Sequence, residues 1–200
     1  MFPPGHYGMA LVLYSVVGYV LLTRGYVRDA LSGGGVVLAY TLFPDMDGKF
    51  EFLVHRGVTH TLWFAIAVGA FCVLAVSTSL YGRERREALR GAVWAFFLGA
   101  LAVVAHLLAD VVNPWGVMPL YPVSPSLYTL DLVRATNDAA NYAMFAVGVL
   151  VAGATLLAAW PRPERPRPTP APLHVRAYRW VLARTTVAEG SKTGRQNVEK

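Results

Sequence analysis

The chain has one cysteine, Cys72, and little charge for its length. A lone thiol excludes an intramolecular disulfide and any metal site built on clustered cysteines. Asp, Glu, Lys and Arg together make up 15% of the 200 residues, where a soluble domain needs roughly a quarter to cover its surface. That shortage excludes a freely soluble protein. Apolar residues fill the space instead: they are 55% of the chain, and mean hydropathy is +0.42. The start, Met1-Phe2-Pro3-Pro4, also lacks the basic segment of a secretory signal, so the first apolar run is expected to stay in the mature chain.

A bilayer core takes about 20 helical residues to cross. Residues 61–81, 91–113 and 140–160 meet that length without a Lys or Arg, and residues 7–22 come close. A fifth run, 31–43, carries Gly33-Gly34-Gly35 and is too short to cross without its flanks. If all five cross, Arg24, Arg28, Arg83, Arg85, Arg86, Arg90 and every basic residue after Trp160 share one side. Lys49, Arg56 and Arg134 are then alone on the other. The positive-inside rule makes the crowded side cytoplasmic, with the N-terminus outside. A non-crossing 31–43 would move Arg24 and Arg28 outside and weaken the asymmetry.

The expected fold class is therefore all-α: a polytopic membrane bundle of about five transmembrane helices, the second one short, occupying residues 1–160. Residues 161–200 read as a proline-rich, disordered linker and a basic cytoplasmic tail, with 174–186 able to form a short amphipathic surface helix. The excess of positive charge is then topological, and nucleic acid is not implied. A multi-pass protein of the plasma or inner membrane is expected. Its partners are membrane lipid and a small-molecule or lipid substrate, and no protein partner is indicated.

Run forward, this topology brings His6, Asp45, Asp47, His55, His60, His106 and Asp110 to the same extracytoplasmic ends. Insertion does not require that convergence. His106 and Asp110, four residues apart, share a helix face, and ionisable groups within a span are costly and usually functional. Each piece has a plainer reading: a His–Asp tie between helices, a turn at Asp45–Asp47, interfacial polarity at His55 and His60. Taken together they favour metal binding. Imidazoles and carboxylates without thiolates suit zinc first, with manganese or iron as alternatives. Seven candidates exceed the three protein ligands of a catalytic zinc. Either two divalent ions sit close together, or one ion is held by some residues while others support it.

Arg56, beside His55, is placed to meet an anionic oxygen such as a phosphoryl group, or else anchors the chain at the interface. Residues 113–137, with their prolines and aromatics, read as a loop at headgroup level, either an aromatic belt or the rim of a site. Asp138 opens the fifth helix, as an N-cap or within reach of the cluster.

The segments Gly5-His6, Phe43-Pro44-Asp45-Met46-Asp47, His55-Arg56-Gly57-Val58-Thr59-His60 and His106-Leu107-Leu108-Ala109-Asp110, in that order, resemble the membrane-bound metal-dependent hydrolases. That family is also described as LexA-binding, inner-membrane-associated hydrolases. The likeness covers roughly residues 5–150. It implies a metal-dependent hydrolase with His6, Asp45, Asp47, His55, His60, His106 and Asp110 as ligands. Thr61 stands where a serine is expected, the tail lies outside the likeness, and LexA binding is not carried over because no residues define it.

The function expected is an integral-membrane metallohydrolase: water activated by the metal attacks an ester or phosphoester, lipid-like by location, at the extracytoplasmic face. Asp45, Asp47, His60, His106 and Asp110 are the first choices as ligands. His6 and His55 are ligands or proton carriers, and His55 and Arg56 are the catalytic candidates. The alternative is a non-enzymatic membrane protein, either a metal or proton transporter or a protein stabilised by its metal. A transporter would place polar groups near the bilayer midplane, where these helices are almost purely apolar.

Overall fold

The computed structural model describes residues 1–50 and 55–161. Five helices order the chain: α1 (Pro3–Thr23), α2 (Val27–Tyr40), α3 (Leu62–Leu80), α4 (Arg85–Val111) and α5 (Asp138–Ala159). Two short 3-10 turns, Pro44–Lys49 and Val58–His60, lie between α2 and α3. Among the described residues the one β-feature is an isolated bridge between Val117 and Tyr128. The expected tail, including its amphipathic segment at 174–186, lies outside the described residues.

Helices α1, α3, α4 and α5 are long and apolar enough to cross a membrane. At about 1.5 Å per residue α2 extends only about 21 Å, short of a hydrocarbon core of about 30 Å. It nevertheless carries the chain back to the end where α1 begins, for Asp45 follows it and lies 3.6 Å from His6. The fifth expected crossing is thus a short helix, packed against α1 and α4. The Tyr14 hydroxyl of α1 donates to the Ala30 carbonyl near its start, at 2.7 Å.

Two seams hold the long helices together. Pro3 and Pro4 open α1 at positions where the missing N–H costs nothing. The helix then runs tight along α5, where a Cβ on Gly8 would collide with the Met144 carbonyl and one on Gly148 with the backbone of Gly8. The α3–α4 seam repeats the device with Gly69 and Gly99. Lipid offers no hydrophobic drive for helix association, so close backbone approach at small residues supplies the contact. Outward faces are apolar, as Leu150 and Leu157 of α5 show.

The loop between α4 and α5 is tied to the bundle at several points. Leu130 N and Leu132 N donate to the carbonyls of Val111 and Val112 at 2.7 and 3.0 Å, satisfying groups that the end of α4 leaves open. Leu62 N, at the start of α3, donates to the Pro119 carbonyl at 2.8 Å. Thr61 caps α3 by accepting from Phe64 N at 3.2 Å, a role either Ser or Thr can fill. These ties fix one end of the bundle, and the histidines and aspartates lie there.

Candidate metal centre

Four elements meet at this end. α1 supplies His6 on its first turn, the Pro44–Lys49 turn Asp45 and Asp47, the Val58–His60 turn His60, and the last two turns of α4 His106 and Asp110. All but Asp45 are buried: the His6, His60 and His106 side chains are 0% exposed and Asp110 1%, against 29% for Asp45.

At the centre, His60 Nε2 and His106 Nε2 approach to 3.2 Å. Asp45 Oδ1 lies 3.4 Å from each of them, and Asp110 Oδ2 lies 3.4 Å from His60 and 3.5 Å from His106. Outer partners fix what these atoms present. His106 Nδ1 donates to the Thr41 carbonyl at 2.8 Å. His60 Nδ1 meets the Thr59 hydroxyl at 3.0 Å and Asp47 Oδ2 at 3.4 Å. Thr59 in turn donates to Asp47 at 2.7 Å. With Nδ1 the donor in both neutral rings, both Nε2 atoms are lone-pair acceptors aimed at two carboxylate oxygens. Two imidazole nitrogens and two carboxylate oxygens this close together could hold a cation. Ligand atoms about 2.0–2.1 Å from a tetrahedral centre are about 3.3–3.4 Å apart, and the five edges seen here match that spacing.

The carboxylates pull on a proton as they would on a metal ion. Burial alone would raise the Asp45 carboxyl, but protons carried on His106 and His60 in place of an ion hold it far below the usual carboxylate range. Burial would likewise raise Asp47, and hydrogen bonds from His55 and Thr59 lower it instead. For His60 burial acts downward, yet the Asp110 and Asp45 carboxylates lift it above its ordinary value.

The other predicted residues take distinct places. His6 stacks on His106 with ring centroids 3.8 Å apart and donates Nε2 to the Met1 carbonyl at 2.8 Å. That nitrogen is 3.6 Å from Asp45 Oδ2 and 3.8 Å from Asp110 Oδ1, and His6, Asp45, His106 and Asp110 form one group that could hold an ion once Nε2 gives up its proton and its bond to Met1. Asp45, His55 and His60 form a second. Asp47 sits behind His60, with its oxygens taken by His55 Nδ1 at 2.8 Å, Thr59 and the Arg56 amide. His55 is half-exposed. Arg56 adopts a left-handed backbone, φ 63°. Its guanidinium donates to Asn113 Oδ1 at 2.9 Å, the Gly116 carbonyl at 3.1 Å and Asp110 Oδ1 at 3.1 Å, and lies over Trp115. Asp138 stays on the surface, and Asn137 caps α5. A cleft of about 830 Å³ opens beside the cluster and is lined by Asp45, His55 and Arg56.

Two buried asparagines complete the site without having been singled out. Asn113 donates to Asp110 Oδ1 at 3.1 Å while accepting from Arg56. Its spacing of seven from His106 and three from Asp110 was the available signal, one helix face continued past the end of α4. Asn141 of α5 accepts from Phe2 N at 3.0 Å and so holds the start of α1. Nothing in its local sequence marks it beyond being polar within an apolar run.

A helical bundle of this hydropathy with a buried His/Asp group at one end defines a multi-pass membrane protein whose side chains could hold a metal ion. The model of the YdjM inner membrane protein family matches residues 1–166, and the chain belongs to that family. It is a multi-pass protein of the inner membrane. No curated protein and no solved structure matches it significantly.

Proposed function

We propose that the chain is an integral-membrane metal-dependent hydrolase that holds one zinc ion between His60, His106, Asp45 and Asp110. The near-tetrahedral set of acceptor atoms carries this reading. Its spacing suits the zinc–nitrogen and zinc–oxygen lengths of about 2.0–2.2 Å, and imidazole with carboxylate is zinc chemistry where thiolate is lacking. Bound there, the ion supplies Lewis acidity and lowers the pKa of a coordinated water.

The chain's own residues do the rest. Asp47, through Thr59, and the Thr41 carbonyl keep the two imidazoles turned with Nε2 inward. His55, gripped by Asp47 and lining the cleft, accepts and returns the proton during attack on an ester or phosphoester. Arg56 faces the same cleft, locked by Asn113 and Gly116, and offsets negative charge as it develops. The cleft is assigned to the extracytoplasmic side because Arg24, Arg28 and the 83–90 arginines lie at the opposite end of the helices.

One observation favours a second reading. Four protein atoms, five of whose six separations are 3.2–3.5 Å, would fill the shell of a structural zinc, whereas catalysis needs an open position. Asp45 is the partly exposed ligand and lines the cleft, so the hydrolase reading places the opening at its edge. The test is turnover of bis(p-nitrophenyl) phosphate and p-nitrophenyl esters by zinc-loaded protein. The hydrolase reading expects zinc-dependent hydrolysis that His55→Ala lowers by about 100-fold with zinc still bound at saturation. Glu87→Gln, at the far end of the bundle, should change nothing. A zinc-stabilised protein without turnover on any of these would be the structural alternative.

A further inference from the structure

The cleft beside the cluster is too large and too mixed in character to serve the metal alone. Its volume of about 830 Å³ lies in the range of pockets that enclose a whole ligand of drug size. Its lining mixes polar side chains, His55, Arg56, Asp131 and Arg134, with the apolar Phe2 and Trp115. Both terminal nitrogens of the Arg56 guanidinium are already committed, to Asn113, Gly116 and Asp110. Arg134 differs. It is exposed, lines the same cleft, and makes no side-chain hydrogen bond or ion pair among the described residues, even with Asp131 nearby. Its planar, permanently charged fork suits a phosphate oxygen pair.

The rim indicates what carries that phosphate. Trp115 is 70% exposed and Phe2 41%, and along the same loop Val123, Leu127, Leu130 and Leu132 also turn outward. So much apolar surface flanking a charged cleft, at one end of a membrane bundle, belongs at the level of the lipid headgroups.

We propose that this cleft binds the phosphate group of an amphiphilic phosphoester, with Arg134 as the anion contact and Phe2 and Trp115 receiving the start of its hydrocarbon chain. The inference rests on the hydrolase reading for the fate of that ligand, and deepens it by naming a substrate class and a specificity residue. Of the two carboxylates lining the cleft, Asp45 is engaged with His60 and His106, and Asp131, three residues before Arg134, opposes the anion.

The test is binding of dodecyl phosphate and of inorganic phosphate to the zinc-loaded full chain in dodecyl maltoside micelles, which carry no phosphate. Dodecyl phosphate should bind at least about tenfold tighter than inorganic phosphate. Arg134→Gln should weaken dodecyl phosphate binding about tenfold, the scale of one charge-assisted hydrogen bond, while Asp131→Asn strengthens it and Glu87→Gln leaves it alone. Equal affinity for the two phosphates would make the cleft a site for soluble phosphoesters and overturn the proposal, as would an Arg134→Gln protein that binds like wild type. Zinc content measured on the same samples keeps the two readings apart. Arg134-dependent binding without zinc retires the hydrolase and keeps the cleft; zinc with turnover but no role for Arg134 retires the cleft and keeps the hydrolase.

Discussion

The two ends of the same helices obey different rules. At the end where α4 begins, Arg83, Arg85, Arg86 and Arg90 are exposed or half-exposed, and the contacts further along are apolar or between glycines. Membrane insertion explains that end fully: basic residues set orientation and small residues let helices approach. At the other end the same α4 buries His106 and Asp110, and Asn113 just beyond it, against His6, Asp45, Asp47 and His60. Burying so many polar and charged groups is costly unless each is paired. Here most are paired in layers, with a centre of acceptors and an outer shell of Thr41, Thr59 and Asp47, while His6 Nδ1 and Arg56 Nε have no hydrogen-bond partner among the described residues. Stability alone would be served better by apolar side chains, which is why function is proposed for the polar end.

Changes at the two ends should therefore fail differently. The largest effect belongs to Asp110→Asn, which keeps volume but removes a central acceptor. Zinc affinity, read by competition with a chelator, should fall by more than about 100-fold, beyond what loss of an outer partner does. Asp47→Asn removes such an outer partner, and the same measurement should show a loss of about 10–100-fold. At the apolar seam, Gly8→Val should lower stability by about 1–3 kcal/mol in thermal unfolding, because the backbone of α5 has no room to yield. Folded Gly8→Val protein should still bind zinc as wild type does. If Gly8→Val and Asp110→Asn damaged zinc binding equally, the contrast between the ends would fail.

The bundle was legible because length and hydropathy determine spans directly, and residues 61–81 and 91–113 needed only small adjustments at their ends. The shortness of 31–43 was visible as well. Which face of α2 packs inward, through Ala30, Gly33 and Val37, was not, because burial depends on which neighbours pack against it. The candidate site was legible as a set, since the residues named from motif spacing and topology lie together at one end. Of the five first-choice ligands, Asp45, His60, His106 and Asp110 meet at the centre and Asp47 stands behind His60, while His6 stacks on His106. Their division of labour was not legible. Asp45 and Asp47 look equivalent in the sequence, yet one points an oxygen at both Nε2 atoms and the other stands behind His60. A 3-10 turn places residues two apart on different sides, and only the packed fold determines which side faces inward. Arg134 escaped notice for the same reason, since nothing local ties it to a cleft shared with His55.

The smallest expected effect concerns the α3 cap, where the sequence departs from the family it resembles. Thr61→Ala should cost about 1 kcal/mol of stability, while Thr61→Ser should cost nothing measurable in the same melting experiment. A site-specific role for the residue would show instead as altered zinc affinity in Thr61→Ser.

The proposed zinc ion at the centre of the His/Asp cluster can be tested directly. X-ray absorption at the zinc edge, on full-length protein purified without chelator, reads both its presence and its shell. One zinc per chain is expected, with nitrogen and oxygen neighbours at about 2.0–2.1 Å and the multiple-scattering signature of two imidazoles. A chain that retains no zinc even after zinc is supplied, or a six-coordinate shell of oxygens without imidazole, would contradict it.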